Sequence, residues 1–160
     1  MNHHLIPVLH SLNGIGIICT AVVFGTDTFF AVIGKDSVTR SKESSIADVF
    51  GHFHELADKR MPFFGVAAIL TTIAQIIIYG IHSIAGQLAI AALLGMLSQL
   101  IIYIVISKPI NIIMVDSVKY GRVLNNVREL QERWDKVILW RALSLLAAIV
   151  CLIMINYTGL

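Results

Sequence analysis

Four apolar runs, at 5–33, 62–81, 84–106 and 137–157, constrain this chain more than any other feature. Each is close to or longer than the roughly 20 residues needed to cross a hydrocarbon core about 30 Å thick. In lipid the backbone must satisfy its own hydrogen bonds, so each run is expected to be helical. Four such runs in 160 residues leave no room for a second domain. The predicted fold is therefore all-α: a single integral-membrane four-helix bundle over 1–160. Charged residues make up only 14% of the chain, against about 25% in soluble domains. The first run is expected to be retained as a span. No Lys or Arg precedes it, it is long for a signal sequence, and no small-residue cleavage site follows it.

The basic residues set an orientation. All twelve Lys and Arg lie in two segments. Lys35, Arg40, Lys42, Lys59 and Arg60 separate the first and second runs, and Lys108, Lys119, Arg122, Arg128, Arg133, Lys136 and Arg141 surround the connection between the third and fourth. An even number of spans puts both segments on one side, which the positive-inside rule assigns to the cytoplasm, with both termini outside a cell membrane. Acidic residues interleave with the basic ones, so a nucleic-acid partner is unsupported. The bilayer is the first expected partner, with weak attraction to anionic head groups. Cys19 and Cys151 both fall inside runs and are expected to be small packing residues.

The connection over 34–61 divides in two. Its first half, 35–45, is polar and is expected to be irregular. In the second half Ile46, Val49, Phe50, Phe53 and Leu56 recur at helical spacing. That pattern predicts a short interfacial helix over 46–56 with Phe50 and Phe53 buried, capped by Ser44 or Ser45. Pro62 then suits the opening turn of the second span. Pro109 lacks a donor N–H and predicts a kink or break after the third run. Val123, Leu124, Val127, Leu130, Trp134, Val137 and Ile138 follow helical spacing, predicting a cytoplasmic helix that extends into the fourth span.

Polar residues inside the runs form stripes, and polar groups in hydrocarbon tend to face a bundle interior and mark function. Asn13, Thr20 and Asp27 are spaced seven apart in the first run. Thr72, Gln75, Tyr79 and His82 share a face of the second. Gln87, Ser98, Gln99, Ser107 and Asn111 follow the third, and Arg141, Ser144 and Cys151 the fourth. Asp27 is the sharpest of these, since a carboxylate at that depth must be paired, hydrated or protonated. Arg141 and Asn111 fall at similar depth, so an Asp27–Arg141 contact is expected. It serves either to lock the bundle or to handle a proton or substrate.

A second constellation is Asp48, His52 and Glu55, on one helical face at i, i+4 and i+7, a spacing able to offer ligands to a metal. The competing reading is a solvated face with Asp48–His52 and His54–Asp58 pairs. His10 and His82, at the opposite end, are the only pair that invites comparison with axial haem ligands, and spacing alone supplies no geometry for it.

Several motifs taken together resemble the anthrone-oxygenase-like family of small four-span membrane proteins. They are Gly25 with Phe29-Phe30, Arg60-Met61-Pro62, Lys108-Pro109-Ile110-Asn111, Arg133-Trp134 and Trp140-Arg141, in order across nearly the whole chain. Leu139 stands where many relatives carry a His ahead of the Arg. Fungal relatives oxidise anthrones to anthraquinones with molecular oxygen. The resemblance implies an oxidoreductase acting on a lipophilic phenolic or quinone-like molecule, and it directs attention to Asn111, Trp134 and Arg141. In such a reaction Asp27 or His54 would be the base, and Arg141 with Asn111 would stabilise a phenolate-like anion. Two other classes fit the same residues. One is a structural or accessory subunit bound to a partner chain or to a second copy. The other is a small proton-coupled transporter using Asp27.

Overall fold

The computed structural model describes residues 5–158. Four long helices account for most of them: α1 (Ile6–Thr39), α2 (Glu43–Tyr79), α3 (Ile84–Lys119) and α4 (Val127–Ile155). All four are long and apolar enough to cross a membrane, and no strand occurs among the described residues. Each helix packs on its chain neighbours, and α4 closes the square against α1. The outer surface is apolar along its length, with Ile18, Phe63, Leu70, Ile77 and Ile84 largely exposed. An apolar exterior over a polar-striped interior fits a multi-pass membrane protein.

Two ends are distinguishable. At the hairpin end, the Gly80–Ser83 turn joins α2 to α3. Gly80 adopts φ +77, and a Cβ on Gly86 would lie 2.0 Å from the Gly80 carbonyl oxygen, so the turn closes only on glycine. Ala85, Ala89 and Ala92 present a small-residue face that is almost fully buried. Close helix approach through small residues is how membrane helices gain packing energy without a hydrophobic drive. At the charged end lie both Lys/Arg-rich connections. Arg128 ties them together there, donating from Nε to Glu43 Oε1 at 3.0 Å and from Nη2 to the Ser41 carbonyl at 2.8 Å.

The helices are longer than the apolar runs suggest. The segment expected to be irregular from residue 35 is helical to Thr39, and only 40–42 leave the helix. Ser37 and Thr39 donate back to the carbonyls of Ile33 and Lys35, and Val38 is buried in the core of the charged end. No glycine or proline interrupts the stretch. The helix expected at 46–56 is present, but as the first turns of α2 rather than as a separate element. No serine side chain caps it: Lys42 occupies the cap position, without a side-chain hydrogen bond. Phe50 is buried as expected, whereas Phe53 is 47% exposed. Pro62 lies well inside α2, not in an opening turn. On the other side of the bundle the helix preceding the fourth span starts at Val127, and Val123 lies in the exposed connection.

Two π-helical turns interrupt otherwise α-helical rods, at Phe30–Gly34 in α1 and Tyr103–Ser107 in α3. The second ends just before Pro109, and helix resumes with this proline in its first turn. The kink expected from Pro109 is thus absorbed as a wider turn on its N-terminal side, where the ring would otherwise meet the carbonyl one turn back. Two buried apolar clusters fill the bundle. One, at the hairpin end, is built around Ala89, Ala92, Met96, Leu145 and Leu152. The other, at the charged end, is built around Phe30, Phe50, Met114, Trp134 and Ile138.

Candidate functional site

Between those clusters, at the level of the π turns, lies a cavity of about 190 Å³ to which all four helices contribute. Its walls are mainly apolar, from Val23, Phe30, Met61, Ile69, Met96 and Leu145. Its polar end is assembled around Arg141, which is 7% exposed. Arg141 Nη2 donates to Asp27 Oδ1 at 2.9 Å, and Nη1 donates to Ser107 Oγ at 3.0 Å. The guanidinium carbon stands 5.4 Å from the centre of the Tyr103 ring. One side chain of α4 is therefore gripped by α1 and by the π turn of α3. A buried guanidinium with a carboxylate and a hydroxyl in a planar fork is a fixed cationic anchor.

A second chain of hydrogen bonds runs beside the first. Asp58 Oδ1 accepts from the Tyr103 hydroxyl at 2.8 Å and from Asn111 Nδ2 at 3.0 Å. Asn111 Oδ1 in turn accepts from Trp134 Nε1 at 3.1 Å. This line of Tyr103, Asp58, Asn111 and Trp134 links α2, α3 and α4. His54 precedes Asp58 by one helical turn and is buried, its ring 5.7 Å from Phe50 and 5.5 Å from Trp134. His54 Nε2, Asp27 Oδ2 and Arg141 Nε are buried and have no hydrogen-bond partner within the protein. Buried polar atoms are usually paired; these three orphans lie on residues that line one cavity, while four others, on Asn13, Thr28, Gln75 and Gln131, lie outside it.

The four residues singled out from the sequence as chemical candidates, Asp27, His54, Asn111 and Arg141, all line this cavity. The Asp27–Arg141 contact is direct. Asn111 differs from expectation in that both its polar atoms are engaged, with Asp58 and Trp134, so it orients neighbours rather than offering a free donor. The expected His54–Asp58 pair does not form, because Asp58 is turned to Tyr103 and Asn111.

Comparison with protein-family models, with curated proteins and with solved structures finds no match to this chain. Each of the resemblance motifs nonetheless sends a residue to the cavity: Phe30; Met61 and Pro62; Asn111; Trp134; and Arg141. Leu139, which precedes Trp140-Arg141, is 52% exposed on the outer surface.

The metal candidates do not converge. Asp48 and His52 come within 3.8 Å on an exposed face, while Glu55 turns away to accept from Lys59 Nζ at 2.7 Å. Among the described residues no group of three or more His, Cys, Asp or Glu is arranged to hold a metal ion. A nearby lysine satisfies the third carboxylate more cheaply than ordering three solvated side chains. His10 and His82 are both exposed at the hairpin end.

Four residues of the site were not singled out from the sequence as chemical: Asp58, Tyr103, Gln99 and Ser107. Asp58 carried a usable signal, being one turn from His54 on the same face of a helix entering the membrane. Gln99 and Ser107 are legible only as members of the polar stripe of the third run, and Tyr103 carried no signal, because the π turn that aims it inward leaves no mark in the hydrophobic pattern.

Proposed function

We propose that this cavity binds a flat, lipophilic phenolic or quinone-like molecule and oxidises it with molecular oxygen, in the manner implied by the resemblance to the anthrone-oxygenase-like family. The observation that carries the reading is the pairing of apolar walls with a buried polar end. There the unpartnered His54 Nε2 and Asp27 Oδ2 lie on residues that share the cavity with the fixed guanidinium of Arg141. Apolar walls with a few placed polar groups are the usual make-up of a small-molecule site.

With an anthrone as substrate the roles follow from the chemistry. His54 Nε2 accepts a proton from the ring methylene, and the electron pair left behind delocalises onto the carbonyl oxygen. Arg141 stabilises that oxyanion, Asp27 and Ser107 hold the guanidinium in place, and low polarity around the site strengthens the interaction. Oxygen adds to the carbanion carbon, giving a hydroperoxide once a proton returns. Loss of water then forms the second carbonyl. One oxygen atom stays in the quinone and the other leaves in water, so anthrone plus dioxygen gives anthraquinone plus water. The line Tyr103–Asp58–Asn111–Trp134 fixes the wall beside the guanidinium, where the Tyr103 ring lies against it.

A second reading, proton-coupled transport through Asp27, draws on the buried polar residues running from the cavity toward the hairpin end. Asn13, Thr20, Thr72 and Gln75 are all nearly inaccessible there. We place the chain in the cell membrane with its charged end cytoplasmic, on the distribution of Lys and Arg.

The deciding experiment is anthraquinone formation from anthrone under air by protein in lipid nanodiscs, against empty nanodiscs. The reading expects a rate well above autoxidation, one labelled oxygen atom incorporated from dioxygen, and loss of the excess rate in His54→Ala and Arg141→Met. Equal rates with and without protein would overturn it, and substrate-driven proton flux would favour the second reading.

A further inference from the structure

We propose that the ligand reaches the cavity sideways from the bilayer, through a window between α2 and α3. The proposal rests on the binding role given to the cavity above, though not on the oxidation step.

The two helices are clamped twice. Toward the hairpin end Thr72 Oγ1 meets Met96 Sδ at 3.8 Å, and toward the charged end Asp58 bonds Tyr103 and Asn111. Between the clamps both helices turn cavity-lining residues toward the seam. Asp58, Pro62, Gly65 and Ile69 fall within about 60° of one another at 100° per residue, and Val66 lies just beyond them on the outer side. All five line the cavity, together with Leu100 across the gap on α3. A Cβ added at Gly65 would meet nothing within 4 Å. Val66 is both a lining residue and 55% exposed, so it stands at the mouth rather than inside.

The other seams have side chains packed across them. Between α1 and α2 the Phe30 ring meets Phe53 at 5.2 Å and Phe50 at 5.8 Å. Phe53 lines the cavity and is 47% exposed, but its ring is packed against Phe30, whereas Val66 adjoins a glycine with open space. Between α4 and α1 the Arg141–Asp27 pair fills the gap. Between α3 and α4 a Cβ on Gly95 would lie 2.6 Å from the Ser144 carbonyl oxygen, which leaves no opening. The α2–α3 window is bordered by Pro62, Gly65, Val66, Ile69 and Leu100, with no charge among them. Such a rim admits a molecule already dissolved in hydrocarbon and gives a water-soluble one no polar path. The matching ligand is a neutral, flat, lipophilic molecule that carries its polar atom to Arg141.

A route is tested by rates rather than affinity. The fluorescent probe 1,8-dihydroxyanthraquinone would be partitioned into nanodiscs holding the full chain, and its binding followed by stopped flow. Val66→Phe should slow association and dissociation together, roughly fivefold or more, with Kd nearly unchanged, because a route alters both directions equally. Val66→Ala should speed both, while Leu70→Phe, on the same helix but facing outward, should change neither. If both Val66 variants leave the rates unchanged while the probe still binds, the window is wrong and the binding site stands. If Val66→Phe weakens Kd with dissociation unaltered, Val66 belongs to the site and not to its entrance, which also overturns the proposal. If the unaltered chain does not bind the probe, the window and the binding role of the cavity both fall.

Discussion

Replacing Asp27 by Asn tests whether the buried ion pair is the keystone of the bundle. The change keeps the side chain's shape, and the amide oxygen is still able to accept from Arg141 Nη2. What is lost is the charge opposite a guanidinium that is 7% exposed. Removing one member of a buried pair costs about 3–5 kcal/mol. Here Arg141 keeps its bond to Ser107, which argues for the lower end, about 3 kcal/mol or roughly a hundredfold in the unfolding equilibrium. His54→Ala sets the comparison. Its ring borders an existing cavity and Nε2 has no partner to lose, so its removal should cost about 1–2 kcal/mol. Reversible unfolding in mixed micelles with increasing SDS, followed by tryptophan fluorescence, ranks the two variants. The double variant Asp27→Asn with Arg141→Met should regain part of the loss, since it leaves no unpaired charge inside the bundle. The reasoning fails if Asp27→Asn is no less stable than His54→Ala, or if the double variant is less stable than Asp27→Asn alone.

Three further outcomes are expected. Gly95→Ala forces a methyl against the Ser144 backbone and should destabilise by about 1–3 kcal/mol, while Gly65→Ala enters open space and should stabilise by about 0.5–1 kcal/mol through helix propensity alone; the same SDS titration reads both. Trp134→Phe removes the donor to Asn111 and should cost about 1 kcal/mol, with a matching loss in cavity ligand affinity measured by probe titration. A membrane-impermeant thiol reagent added outside intact cells should label His82→Cys but not Lys42→Cys or Arg122→Cys, and labelling of either of the latter would reverse the proposed orientation.

Much of the architecture is legible because lipid removes alternatives. A run long enough to span hydrocarbon has little choice but helix, so the helix count follows from the apolar pattern. Helix length does not. Lys35–Thr39 is polar, and its helicity comes with the packing of Val38 in the charged-end core. The 46–56 helix was legible from its apolar spacing, but not that it runs unbroken into the second span. The long-range Asp27–Arg141 contact was readable from depth, because two opposite charges at one level of a bundle have few partners to choose from. Asn111 was readable as a position but not as a role, since the sequence does not disclose that Asp58 and Trp134 occupy both its polar atoms. The metal candidates fail to come together for a related reason. Spacing puts Asp48, His52 and Glu55 on one face but says nothing of Lys59, which claims Glu55.

The two π turns carry a consequence for how this chain tolerates insertions and deletions. Each behaves as one residue slipped into an α-helical register, and each falls where the membrane half of a rod gives way to its charged end. Deleting one residue from Phe30–Gly34 would return α1 to regular pitch with both flanks in phase, because the wide turn closes its hydrogen bond five residues on where an α turn closes it four on. Val38 would stay in its core and Asp27 in its pair. The same deletion in Tyr103–Ser107 would leave Asn111 and Met114 facing their partners in α2 and α4, and only the side chains of the turn itself would be re-aimed. Anywhere else in either rod, the loss of one residue swings everything beyond it by about 100°. The two turns are therefore the places where α1 and α3 should lose a residue without breaking the frame shared by the hairpin end and the charged end.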